Sequence, residues 1–359
     1  MTDTLSQLST VFIYVAMGFY AAAFIAFALD LARRGARATA DEAAVVPSAV
    51  ARRAEVAAPV GASTTTLTAA GGSAPPASPQ ASSALGRLSS RISSRVEDDV
   101  MNGDTSSTSI RWAFGLTIVG FVAHLVATLF RGIAADRVPW ANMWEFSMTG
   151  TLVIIGVFLV VNLKWDVKYL GTFIVGLVLV LQGVALLRYY VPVVPLQPAL
   201  QSYWLVIHII VAVLGTAFFA LGFALSGLQL LQYRRERQVA ESRPQQFRFL
   251  ETLPSAVALE NLAYRINIVG FIAWTFTLIA GAIWAEKAWG RYWGWDTKEV
   301  WTFIIWVIYA GYIHARATRG WRGSRSAWLA IIGFAAVLFN FGIVNVFFHG
   351  LHAYSGLGS

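Results

Sequence analysis

The chain contains no cysteine among its 359 residues. That excludes a disulfide framework, a thiolate metal site and a cysteine nucleophile. Charge is scarce too. Asp, Glu, Lys and Arg make up 13% of the residues, about half the ~25% of a soluble globular domain. An ordinary cytoplasmic enzyme is therefore excluded. With 57% hydrophobic residues and a mean hydropathy of +0.60, so is a fully disordered chain. Redox or metal chemistry must rest on histidine, carboxylates, methionine or a bound cofactor. Histidine is itself rare, at five residues: His124, His208, His314, His349 and His352.

Long apolar runs are abundant, and they predict an all-α polytopic membrane protein. Eight spans are expected, near 9–31, 112–131, 145–162, 169–187, 203–231, 266–285, 299–316 and 327–348. Each approaches the ~20 residues a helix needs to cross a bilayer. The first span follows a segment with Asp3 and no basic residue, whereas Arg33, Arg34 and Arg37 come after it. A cleavable signal peptide has the opposite arrangement. The expectation is an uncleaved anchor, 1–32, with its N-terminus outside. Alternation from there puts 21 of the 27 Lys and Arg inside and six outside. The net charge of +8 is thus a positive-inside signature and not a nucleic-acid footprint. The even span count returns the C-terminus to the outside.

Between about 36 and 108 the chain is rich in Ala, Ser, Thr, Pro and Gly and poor in aromatics and large aliphatics. Such a stretch buries too little apolar surface to offset its chain entropy. A disordered cytoplasmic linker, 33–110, is expected to separate the anchor from a seven-helix body, 111–359. The segment 233–265 reads as an amphipathic cytoplasmic loop.

The spans hold no Asp, Glu, Lys or Arg at mid-depth; Asp30 and Glu145 lie at span ends. That argues against an ion-coupled transporter. The histidines are the remaining ionisable groups at membrane depth, and the topology separates them. His208, His349 and His352 fall at the outer surface. His314, 19 residues beyond Trp295 or roughly 28 Å along a helix, falls near the inner end of its span. His124 and His349 are expected to be structural, although His349 stands at i, i+3 from His352 and can substitute for it.

Between the sixth and seventh spans, the 18-residue window 284–301 contains five of the 14 tryptophans, plus Tyr292. One or two Trp there would be an interfacial belt. Five, interleaved with Gly290, Gly294 and six charged residues, exceed what anchoring requires. Indoles with glycine gaps suit a large planar apolar ligand, and nearby cations suit its carboxylates. Outer imidazoles on either side in sequence, His208 and His352, offer axial nitrogens to a metal in that ligand. Haem meets these demands. Lys287, Arg291 and Lys298 are the cations available to its propionates, or else solvated interface charges. Asp296 and Glu299 suit a helix N-terminus at least as well as a catalytic role.

The run WGRYWGWDTKEVW, with VPWANMWEF at 138–146, YWLVIH at 203–208 and NVFFHGLHAY at 345–354, resembles the CcsA/ResC branch (also called CcsB) of system II cytochrome c biogenesis. That branch belongs to the haem-handling superfamily with the tryptophan-rich WWD signature. The resemblance covers about 110–356. It implies haem b, as transported substrate, bound by His208 and His352 as outer axial ligands and by His314 at an intramembrane entry site. Trp289, Trp293, Trp295 and Trp301, with Arg291 and Asp296, would form the platform. It further implies delivery of haem across the plasma membrane and thioether attachment to an apocytochrome CXXCH motif on the extracytoplasmic face. The chain would then be a subunit of a cytochrome c haem lyase. The implied partners are a ResB/CcsB-type membrane protein, a thioredoxin-like reductant and a CcdA-type protein. Two other readings compete. A haem exporter or chaperone without attachment activity shares the tryptophan-rich segment. An electron-transfer cytochrome b usually places two histidines ~13–14 residues apart on one helix, and no pair here has that spacing.

Overall fold

The computed structural model describes residues 2–56, 107–243, 247–348 and 350–352, with only the backbone described for 38–56. Among these residues there are helices and no strands. The long helices are α1 (Thr2–Val56), α2 (Thr108–Ala135), α3 (Met143–Val161), α4 (Gly171–Arg188), α5 (Tyr203–Ala240), α6 (Ala256–Trp289), α7 (Thr297–Arg319) and α8 (Ser324–Phe339). A π-helical turn, Asn340–Val344, and a last short helix, Asn345–Phe347, extend α8.

Seven of the eight are long and apolar enough to cross a membrane. The exception is α7, whose 23 residues include Lys298, Glu299, His314 and Arg316. It nonetheless packs among the others: its Tyr309 stacks on Phe219 of α5 with ring centroids 3.6 Å apart. The protein is accordingly an all-helical membrane protein.

Helix ends carry local stop and start signals. Ser107, Asn142, Ser202, Ser255 and Asp296 each accept a backbone N–H at a helix start, filling donors that no helical carbonyl reaches. Gly290 ends α6 at φ +69°, a left-handed conformation that glycine adopts without a Cβ penalty. Close helix crossing also uses glycine. A Cβ at Gly270 of α6 would lie 2.8 Å from the Phe219 ring of α5, so the missing side chain brings the two backbones together.

Two expectations need revision. The segment 233–265 is mostly helix, because α5 runs to Ala240 and α6 starts at Ala256. The extension of α5 is polar and bears an Arg237–Glu241 ion pair at 2.8 Å, spaced i, i+4, which supports helix outside an apolar environment. The anchor helix packs on the body, with Tyr20 of α1 buried against His124 of α2. α1 continues to Val56 into the stretch read as linker; 57–106 lies outside the described residues.

Loops sort to two ends of the bundle. At one, Arg131 and Arg137 reach the carbonyls of Val191 and Val194, and Trp284 clusters with Leu200 and Trp140. At the other, Gln229 donates to the Gly323 carbonyl at 2.9 Å and Arg316 to that of Glu260 at 2.9 Å. The first is called the tryptophan end below.

Candidate functional site

One face of α6 near its C-terminus presents Thr277, Gly281 and Trp284, spaced i, i+4, i+7. His208, in the second turn of α5, lies on that face. Its Nδ1 is 3.0 Å from the Thr277 carbonyl oxygen. A carbonyl only accepts, so Nδ1 carries the proton and Nε2 keeps its lone pair. The imidazole stacks on Trp284 at 5.8 Å between centroids and 13° between planes. Gly281 leaves the space: a Cβ there would fall 2.8 Å from His208 Cε1.

His352 approaches the same indole from the other side of the fold. Its ring stands edge-on to Trp284 at 5.5 Å and to Trp289 at 4.8 Å. Its Nδ1 is 2.8 Å from Asp296 Oδ2, while Asp296 Oδ1 accepts the Leu351 N–H at 3.1 Å. The His352 hydrogen bond holds the Asp296 carboxyl below its ordinary value. Burial lowers His352 below the usual imidazole value, with the Lys298 charge acting the same way and the Asp296 hydrogen bond opposing. The state that fits both shifts is a neutral imidazole donating Nδ1–H to an ionised carboxylate. Nε2 is then the basic nitrogen, as in histidines oriented by a carboxylate for metal binding.

Asp296 has a second task. With Glu299 it forms a capping box at the start of α7. Glu299 Oε2 accepts from Gly294 N at 2.8 Å and from Asp296 N at 3.0 Å, which clamps the loop on both sides of Trp295. Trp295 itself is held at φ +61° with its side chain 74% exposed. A bulky residue in this left-handed region is strained, and the flanking bonds maintain it.

Both histidines line a chamber of about 110 Å³ together with Trp140, Phe146, Trp284 and Lys298. His208, Phe146, Ile209, Lys298 and Phe341 also line a deeper cavity of about 300 Å³ between α3, α4, α5, α6, α7 and α8. The deeper walls are mainly apolar, with Ile154, Leu181 and Val337 among them. A large apolar ligand with a few polar contacts fits such a lining.

Other expected residues are distributed differently. Trp293 and Trp295 meet each other at 90° and 5.9 Å. Trp301 packs on Phe339 at 4.4 Å and, half-buried, against the core cluster of the bundle. Arg291 lies across the Gly294 backbone, 3.5 Å from Glu299 and 6.0 Å from the centre of the Trp289 ring. Lys287 is exposed and paired with Glu286 at 3.0 Å. His314 is exposed near the opposite end of α7, 18 residues from Asp296 or roughly 27 Å along the axis. His124 is fully buried, with Nδ1 3.4 Å from the Tyr20 hydroxyl. His349 lies outside the described residues.

The supporting frame was not expected. Glu145 is buried and takes Arg131 Nε at 3.0 Å and Arg137 Nη1 at 2.6 Å, plus the Ala141 N–H at 3.0 Å. Those two arginines tie the loop after α4 to α2 and α3, which sets Trp140 against the chamber. The run VPWANMWEF contains this carboxylate and the Asn142 cap, so the signal was present without its partners.

Comparison with known proteins places this geometry in context. The Cytochrome C assembly protein family matches residues 140–352, a range that opens at Trp140 and closes at His352. The CcsA protein of Trieres chinensis is 31% identical over 284 residues, 70% of this chain and 91% of that one. The chain belongs to the CcsA family of cytochrome c biogenesis proteins. Within the family, CcsA of Heterosigma akashiwo is 33% identical over 61% of this chain and 77% of its own length. That of Prochlorococcus marinus is 39% identical over 44% and 56%. Among solved structures, a cytochrome c haem lyase, CcmF, aligns with TM-score 0.49 at 18% identity, covering 69% of this chain and 44% of that one. A role in cytochrome c biogenesis follows from the family.

Proposed function

We propose that this CcsA-family protein holds haem b between His208 and His352 at an extracytoplasmic tryptophan end and presents it for covalent attachment to apocytochrome c. The observation that carries the reading is the matched treatment of the two imidazoles. Each has Nδ1 tied to an acceptor, which leaves Nε2 as the basic nitrogen, each flanks Trp284, and both residues line one chamber. Two such nitrogens suit the axial positions of an iron porphyrin. Trp284, Trp289 and the apolar cavity walls would cover the ring and exclude water.

Haem enters from the cytoplasmic side of the plasma membrane by way of His314 and passes to the pair at the other end of α7. Presentation needs one porphyrin edge free. At that edge each apocytochrome cysteine adds its S–H across a vinyl C=C; sulfur bonds to the carbon next to the ring and hydrogen to the terminal carbon. The addition is redox-neutral. The histidine of the CXXCH motif then displaces one of this chain's imidazoles, which releases the product. Lacking cysteine, this chain leaves thiol reduction to a thioredoxin-like protein fed by a CcdA-type carrier. A ResB/CcsB-type membrane protein completes the lyase.

The test is an absorbance spectrum of detergent-purified protein. Wild type should bind haem with a six-coordinate, bis-imidazole Soret signature. His208→Gly or His352→Gly should abolish it, and added imidazole should restore part of it. A full complement of haem with an unchanged spectrum in His208→Gly would refute the ligand assignment.

A further inference from the structure

Three cations stand near the tryptophan end of α7, and only one faces the chamber. Lys287 is exposed and paired with Glu286. Arg291 is folded over Gly294 and leans on Glu299. Lys298, in the first turn of α7, lines both the chamber shared by His208 and His352 and the deeper cavity. Among the described residues it is the one cation common to both.

Its surroundings leave it under-used. Lys298 Nζ donates to Asn345 Oδ1, which occupies one of the three donors of an ammonium. Among the described residues no carboxylate forms an ion pair with it. Asp296, two residues away, directs its oxygens to His352, to Leu351 N and to the Lys298 backbone N–H instead. Asp296 is close enough to favour the charged lysine, but a half-buried ammonium with no carboxylate bonded to it is still unfavourable. An anion brought by a ligand would relieve it. The neighbouring walls, Phe146, Ile209 and Phe341, suit the hydrocarbon of that ligand.

We propose that Lys298 is the seat of a porphyrin propionate. The proposal rests on the haem site described above. It adds an in-plane orientation that two axial imidazoles alone leave undetermined. Propionates and vinyls occupy opposite edges of the macrocycle. Seating the acid edge on the first turn of α7, at the junction of the two chambers, turns the vinyl edge away from it. Lys298 is then a positioning residue that decides which edge meets the apocytochrome.

The experiment titrates two porphyrins into the detergent-purified full chain and follows the Soret band. One is haem; the other is its dimethyl ester, with the same iron and ring and no propionate charge. Wild type should prefer haem by about tenfold, the scale of one charge-assisted hydrogen bond. Lys298→Gln should lose most of that preference while keeping its affinity for the ester and its bis-imidazole spectrum. Lys298→Arg should retain the preference, which separates charge from packing. If Lys298→Gln weakens both porphyrins equally, or leaves the preference intact, the seat is wrong while the axial site stands. If wild type binds neither porphyrin, the site and its seat fall together.

Discussion

His208 and His124 are both imidazoles held inside the same bundle, and their neighbours put them to opposite uses. His208 has Nδ1 on a backbone carbonyl, a flat indole against one face and open volume beyond. His124 is enclosed completely, edge-on to Tyr20 at 6.0 Å with Nδ1 3.4 Å from the tyrosine hydroxyl. No residue type distinguishes them. What differs is space: α6 supplies Gly281 beside His208, whereas α1 supplies a tyrosine beside His124. An imidazole becomes available to a ligand when one nitrogen is anchored by an acceptor and the other faces a void. His314 is a third case, exposed near the far end of α7.

The largest contrast expected from this pair is in haem stoichiometry. His124→Phe puts a larger, apolar ring into a fully enclosed site beside the Tyr20 hydroxyl and should leave haem binding near that of wild type, at a cost in thermal stability. His208→Gly should lose haem, and its melting temperature should fall as well, since glycine inside a helix costs about 1 kcal/mol; retained haem is what sets His124→Phe apart. Haem content and unfolding temperature measured on the same preparations decide it. Equal haem loss in both variants would erase the distinction.

Next in size is Gly281→Ala. The new Cβ would sit 2.8 Å from His208 Cε1 and 2.9 Å from Nδ1, closer than carbon contacts allow, so the ring must move off the Thr277 carbonyl. Alanine is the better helix former by ~0.5–1 kcal/mol, so α6 itself should not suffer. Haem affinity should fall about tenfold or more without a lower melting temperature. An unchanged affinity would mean that His208 is not held by this face of α6.

How much of this was legible beforehand depends on separation along the chain. The spans follow from apolar run length, and α7 is recognisable despite Lys298 and Glu299 because they occupy its first turn. The Asp296–Glu299 cap is local and could be read from the residues themselves. Thr277 and Gly281 could not, since their meaning depends on His208, 69 residues before Thr277. Asp296 and His352 are 56 residues apart, so the carboxylate's hold on the imidazole was equally hidden. Trp301 shows the limit of counting: it shares a window with Trp284 and Trp289, yet its place on α7 turns it toward the core. Composition marks a rich segment; helix phase decides which of its rings reach a cavity.

A smaller effect separates the two tasks of Asp296. Asparagine is as good an N-cap as aspartate, whereas alanine forfeits about 1 kcal/mol. Asp296→Asn should therefore keep the start of α7 and weaken only the support of His352. Oriented-ligand losses of this kind run ~10–100-fold in metal affinity; with a second axial ligand intact, the lower end is expected. Asp296→Ala should show that loss together with a lower melting temperature. Matching melting temperatures in the two variants would remove the cap from the account.

The smallest expected effect is on pH dependence, and its sign follows from His352. Protonating Nε2 removes the lone pair that iron needs, so affinity falls as pH drops through the imidazole's own pKa. An unshifted imidazole at 6.5 would cost about tenfold in affinity between pH 7.5 and 5.5. Burial and the Lys298 charge lower His352, against the opposing hydrogen bond from Asp296. The fall should thus start at lower pH, and the loss over that interval should be less than tenfold. Asp296→Asn removes a group that raises His352. Its haem binding should be weaker at pH 7.5 yet flatter down to 5.5, and absorbance titrations at the two pH values measure both. A steeper curve in Asp296→Asn than in wild type would mean that the carboxylate does not favour the imidazolium, contrary to its position 2.8 Å from Nδ1.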